Sequence, residues 1–142
     1  MMQLVRPIDI EDALRTDIAE AVTPSTEGAS PKWRCFAPPA PDDIAAGCLM
    51  VTSLGGTSAT AVSNEHDASI DCWASTPAEA VEMANEAAGI VASLPLRTFA
   101  SGRHYLTADI NALPYINPDP NRPLLPRATF RATVGIRGAA IY

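Results

Sequence analysis

No stretch of this chain approaches the roughly 18–20 consecutive apolar residues that a membrane-spanning helix needs, although 47% of its residues are hydrophobic. Cysteine is scarce as well. Cys35, Cys48 and Cys72 make an odd number at wide spacings, which argues against a disulfide framework and predicts reduced, packed thiols in a cytosol. Among these three, His66 and His104, no pair has the C-x₂₋₄-C or H-x₃₋₅-H spacing of a zinc site. The opening MMQLVRPIDIEDALR has no long apolar core followed by a small-residue cleavage pattern, so no secretory signal is expected. No serine stands in a G-x-S-x-G context, and no cysteine has a setting that would lower its pKa, which leaves nucleophilic catalysis without a candidate. Gly55-Gly56 before Thr57 and Ser58 lacks the G-x-x-x-x-G-K-[ST] of a phosphate loop and no helix follows. It reads as a hairpin connection. The expectation is a protein with no catalytic residue, no cofactor and no metal.

Basic residues are missing from most of the chain. The net charge is −6. Residues 1–96 carry only Arg6, Arg15, Lys32 and Arg34 against fourteen acidic side chains, whereas residues 97–142 carry six arginines against Asp109 and Asp119. Two readings follow. The chain is either a soluble acidic domain whose last strands bear arginine, or one in which a basic face of one copy meets an acidic face of the next, head to tail. Overall acidity and the lack of a basic helix or an aromatic-basic platform oppose specific nucleic-acid binding.

What the chain does have is a strand joined tightly to a capped helix, in HDASIDCWASTPAEAVEMANEAAGIVASL, His66 to Leu94. Ala68, Ile70, Cys72 and Ala74 alternate with Asp67, Ser69, Asp71 and Trp73, the period of a half-buried strand. Thr76-Pro77-Ala78-Glu79 is a capping box with proline at the first helical position. The helix runs from Pro77 to about Leu94, with Val81, Ala84, Ala88 and Val91 on one stripe and Glu79, Glu82, Asn85 and Glu86 elsewhere. Asp67 and Asp71 read as solvated strand carboxylates. Trp73, on the same face, either covers an edge of the domain or packs into a partner.

The remaining elements follow from the same periodicities. Asp9 to Val22 is an amphipathic helix with Ile10, Ala13, Leu14, Ile18 and Ala21 on one face. Thr23 to Pro31 reads as a polar loop, Trp33 to Ala37 as a short strand, and Cys48 to Leu54 as a buried strand. Gly55 to Glu65 reads as a flexible connection. Tyr105 to Leu113 and Thr129 to Arg137 alternate as strands, the second with Phe130, Ala132, Val134 and Ile136 inward. Between them LPYINPDPNRPLLPR holds five prolines and reads as a stiff, extended excursion that cannot pair as regular sheet. The expected fold is a single α+β domain over residues 1–142. It has a mostly antiparallel sheet of four to five strands, two helices on one face, and the proline-rich excursion between the last two strands.

Several pieces recur in a recognisable order: a short N-terminal helix, Gly55-Gly56, and a strand ending D-x-W-A (Asp71 to Ala74). They are followed by T-P-x-E-A (Thr76 to Ala80), a helix containing M-A-N (Met83 to Asn85), and P-R-A-T-F-R-A-T-V-G-I-R-G (Pro126 to Gly138). This series resembles the tail terminator, or tail completion, proteins of long non-contractile-tailed phages (siphoviruses), especially those infecting actinobacteria. The resemblance covers most of residues 45–138, and the order of the motifs carries it. It implies a non-enzymatic virion protein, assembled in the host bacterial cytoplasm, that forms a hexameric ring on the head-proximal end of the tail tube. Such a ring stops tube polymerisation, presents the neck surface to which the head connector docks, and lets DNA pass through its lumen unbound. Its partners are further copies of itself, the tail-tube protein and the connector, with no membrane. On that reading Arg131 and Arg137 pair with acidic groups of the adjacent copy. Asp67, Asp71 and Trp73 are further candidate contacts, as are Tyr115, Arg122 and Arg127 in and beside the proline-rich excursion. Two other readings stay open: a different neck or head–tail connector ring protein, and a small cytosolic α+β ligand-binding domain or enzyme, which would need a polar cluster in a pocket.

Overall fold

A computed structural model describes residues 5–22, 30–58 and 63–140. The first long element is α1 (Ile10–Val22), whose first N–H groups face Asp9. Asp9 Oδ1 accepts the Asp12 N–H at 3.2 Å, and Glu11 and Asp12 in the first turn suit the positive end of the helix dipole. Most of the loop expected at Thr23–Pro31 lies outside the described residues. A short strand β2 (Arg34–Phe36) then pairs in parallel with β3 (Cys48–Ser58), which forms an antiparallel hairpin with β4 (Ser63–Trp73). After α2 (Pro77–Ala92) and a 3₁₀ turn at Leu94–Leu96 come β5 (Tyr105–Ile116) and β6 (Arg127–Arg137). The five strands lie in the order β2-β3-β4-β6-β5, antiparallel except at β2. In a separate small ribbon, β1 (Val5–Arg6) pairs antiparallel with β7 (Ala139–Ala140).

This is the expected α+β domain, and its core sits on one face of the sheet. Ala68, Ile70 and Cys72 of β4 stand between Val51 and Leu49 of β3 and Ala132, Phe130 and Ala128 of β6. Both helices cover that row: α1 with Ile10, Leu14 and Ile18, α2 with Ala80, Ala84, Ala87, Ala88 and Val91. The many alanines of α2 let its axis lie close to the sheet. Thr76 caps it, its Oγ1 accepting the Glu79 N–H at 3.1 Å.

Two expectations need correction. The connection at Gly55–Glu65 is strand for most of its length, and only residues 59–62 lie outside the described residues. Gly55, at φ +95°, makes a bulge beside Ser53, and Gly56 pairs with His66 so closely that a Cβ there would lie 2.0 Å from the Glu65 carbonyl oxygen. These glycines serve a bulge and a close approach, both strand uses of glycine that composition alone does not distinguish from a flexible loop. At the other edge β5 continues through Pro114 to Ile116, with register shifts on either side of Ala112. An edge strand tolerates proline at such an irregularity because no neighbour needs the missing N–H.

Candidate interface on the outer sheet face

The face of the sheet turned away from the helices carries every residue singled out on β4 and β6. At its lower end the proline-rich segment after β5 folds back on it. Asp119 Oδ2 accepts the Trp73 indole N–H at 3.3 Å and a bond from Arg122 Nη1 at 3.2 Å, while Asp119 Oδ1 accepts the Asn121 N–H at 3.0 Å. Arg122 Nη2 donates to the Pro41 carbonyl at 3.1 Å, and Arg127 donates to the Asn117 and Pro118 carbonyls. Trp73 is stacked with Phe36 and covered by the Arg127 guanidinium, 5.8 Å from the ring centroid, which leaves it 1% exposed. Of the two roles open to Trp73, it therefore takes the first and covers part of its own domain. The segment is a strap closed by turns, Arg122 N–H to Asp119 O and Leu125 N–H to Arg122 O, where an extended excursion was expected. Its prolines fix those turns. Burial pushes the Asp119 carboxyl up, but the Asn121 N–H, Arg122 and the Trp73 N–H outweigh it and hold the group below its ordinary value.

Above the strap, two matching polar rungs run across the face, the lower one starting at Asn117 just past β5. Asn117 Nδ2 donates to Thr129 Oγ1 at 3.1 Å, and Thr129 Oγ1 donates to Asp71 Oδ1 at 2.5 Å. Asn111 Nδ2 donates to Thr133 Oγ1 at 2.5 Å, and Thr133 Oγ1 donates to Asp67 Oδ1 at 2.6 Å. Each hydroxyl both accepts and donates, so each rung fixes the amide and the carboxylate at its ends. Asp71 is buried, contrary to the expected solvated carboxylate; burial raises its pKa, against the Thr129 hydroxyl and Arg127. Asp67 is half-buried. Between the rungs, opposite Ser69, stands Arg131, and Arg137 lies farther up β6. Both arginines are exposed and have no ion pair among the described residues. Leu54 (50% exposed) stands beside Arg131, and Tyr115 (42%) lies opposite Thr129 on β5.

The basic C-terminal third does not form a basic face. Arg122 and Arg127 serve the strap, Arg97 donates to Ser93 Oγ at 2.7 Å, and Arg103 forms a two-bond pair with Asp17. Asp17 was missed by the sequence reading, although its spacing from Ala13, Leu14 and Ile18 puts it on the buried side of α1. It is 1% exposed and also accepts the Tyr105 hydroxyl at 2.7 Å. Burial first, then this bond to Asp17, raises the Tyr105 pKa.

The thiols are free, as expected, with Cys48 and Cys72 buried and Cys35 half-buried. Burial pushes Cys35 up to about 12 and raises Cys72 as well, which keeps both protonated and unreactive. Among the described residues no group of three or more His, Cys, Asp or Glu is placed to hold a metal ion, and no helix is long and apolar enough to cross a membrane.

His66, on the helix side of the hairpin, lines a cavity of about 310 Å³ with Pro7, Ser53 and Gly56, and its Nε2 is buried without a partner. Burial lowers its pKa from 6.5, against the opposing charge of Asp67. The imidazole is thus held neutral when folded, and the unfolded chain takes up its proton first. Stability therefore falls as pH drops through about 6.5. In urea titrations at pH 7.5 and 5.5, His66→Gln is expected to reduce that loss; an identical loss in the variant would assign it to other groups.

A scan against protein-family models returns no match, and no curated protein sequence is significantly similar to the chain.

Proposed function

We propose that this chain is a structural virion protein that forms a ring on the head-proximal end of a long non-contractile phage tail, ends tube growth and gives the head connector its docking surface. The observation that carries this reading is the outer sheet face. A two-layer domain leaves it uncovered above the strap, and it bears Arg131, without an ion pair among the described residues, among fixed polar rungs and exposed Leu54 and Tyr115. Antiparallel sheets do face water on one side, but such faces are ordinarily polar, and large exposed apolar side chains grouped about a charge mark a protein contact. Leu54, Asp67, Asn111 and Arg131 line a cleft of about 240 Å³ on this face, room for a side chain of a partner protein. The motif series from Gly55 to Gly138 supports the terminator role in particular.

Electron microscopy of particles made without the protein tests this reading. Over-long tail tubes are expected, with normal length restored when the protein is supplied. Headless tails of normal length would instead assign the chain to the connector.

A further inference from the structure

We infer that the cavity at His66 is a socket for a tyrosine side chain of a partner protein, its phenol hydroxyl bonded to His66 Nε2. The inference goes beyond the ring reading and does not depend on it. The inward row of β4 runs from Ile70 through Ala68 to His66, while β3 opposite is exposed from Ser53 to Ser58. The packed core therefore ends at this level, and His66 stands just past it. Here lies the cavity of about 310 Å³, lined among the described residues by Pro7, Ser53, Gly55, Gly56, Asn64 and His66, with others of the same hairpin. His66 is only 9% exposed. Its Nε2 is the one buried side-chain nitrogen or oxygen among the described residues without a hydrogen-bond partner. Such an atom gives up the bond it makes to water in the unfolded chain, and native proteins hold few of them.

The walls select the ligand. No lysine or arginine is among the described lining residues, so an anion finds no countercharge. Burial lowers the His66 pKa and keeps the imidazole neutral. Glu65 is the acidic residue of the lining, but on an alternating strand its side chain belongs to the sheet face opposite to that of His66. A cation would thus lose its hydration beside a neutral ring with nothing in return. What fits is an uncharged group. A hydroxyl both donates and accepts, so it meets Nε2 whichever ring nitrogen carries the proton. Gly55 and Gly56 put no side chain into the space, and Pro7 adds an apolar ring. A phenol matches such walls, with a flat apolar body and one hydroxyl at its tip. A serine or threonine hydroxyl would leave most of the volume unfilled. The exposed run of β3 beside the opening leaves room for the main chain that carries the ring, and tyrosine is enriched at protein contacts.

Titration of the wild-type protein with p-cresol, the tyrosine side chain without its backbone, tests the socket, with the His66 imidazole resonances followed by NMR. A saturable shift of Nε2 at millimolar p-cresol is expected. Toluene has nearly the same ring and no hydroxyl, and is expected to bind roughly tenfold more weakly, the worth of one hydrogen bond to a buried group. N-acetyltyrosinamide, which carries main chain on both sides, is expected to bind at least as well as p-cresol. In His66→Leu, with its fold checked by circular dichroism, the preference for p-cresol over toluene is expected to vanish. The comparison of ligands in the wild type stands even if that variant does not fold. No saturable shift with p-cresol means a cavity that holds solvent only, and overturns the inference. Equal binding of p-cresol and toluene removes His66 from the site and overturns it as well. Binding of p-cresol with exclusion of N-acetyltyrosinamide overturns the polypeptide source. None of these results bears on tail-tube length, so each leaves the ring reading standing.

Discussion

Asp17→Ala is expected to cost about 3–5 kcal/mol of folding stability, the usual loss when one partner of a buried ion pair is removed. The carboxylate is 1% exposed and holds three donors: Arg103 Nε and Nη2, each at 2.9 Å, and the Tyr105 hydroxyl at 2.7 Å. Removing it leaves a guanidinium and a phenol facing apolar side chains, with water reaching only the outer part of Arg103, whose side chain is 26% exposed. The cluster also ties α1, which packs on β2 and β3, to the start of β5 at the opposite edge of the sheet. Loss of the anchor therefore weakens the whole helical layer. Against a total stability of about 5–15 kcal/mol for a domain of this kind, the change is large enough to read directly as a lower urea midpoint. Lys32 and Glu86, whose pair is about half exposed on both sides, provide the contrast, with an expected loss of at most about 1 kcal/mol for Glu86→Ala. Equal losses from the two substitutions would mean that the Asp17 cluster gives no more than a surface pair.

Much of this architecture is legible in the residue pattern because local rules and the fold agree. The alternation Ala68, Ile70, Cys72 gives β4 its inner face, and Thr76-Pro77 starts α2 where the capping rule places it. What sequence hides is whatever depends on distant neighbours. Asp71 and Trp73 share the outer face with Asp67, and nothing local says that a segment more than forty residues on, around Asp119, returns to bury two of the three. The arginines of the last third look alike as a composition bias, yet Arg122 and Arg127 donate to backbone carbonyls while Arg131 is exposed with no ion pair among the described residues. Asp17 could have been found, since an acid at a core position of an amphipathic helix predicts a buried partner. That the partners are Arg103 and Tyr105 depends on the long-range packing of α1 against the β5 end.

Asp119→Ala is expected to open the strap. The carboxylate is 4% exposed and joins the Trp73 indole of β4 to the Arg122 guanidinium and the Asn121 N–H of its own turn. Hydrogen bonds to a charged group contribute about 1.5–3 kcal/mol each. Arg122 and the Asn121 N–H can recover part of theirs from water, so a net loss of about 2–3 kcal/mol follows. Its signature is a red shift of tryptophan emission as Trp73 becomes hydrated, measured in native buffer before any unfolding. Unchanged emission and stability would show that the Phe36 stacking and the Arg127 contacts hold the strap without Asp119. Two further variants separate the roles of the two ends of this face. With the strap closed, Trp73 is out of reach of a neighbouring copy, so Trp73→Phe should lower stability and leave self-association unchanged. Arg131→Glu should do the reverse. A loss of association in Trp73→Phe with stability preserved would move the contact down the sheet and make the strap itself a movable part of the interface.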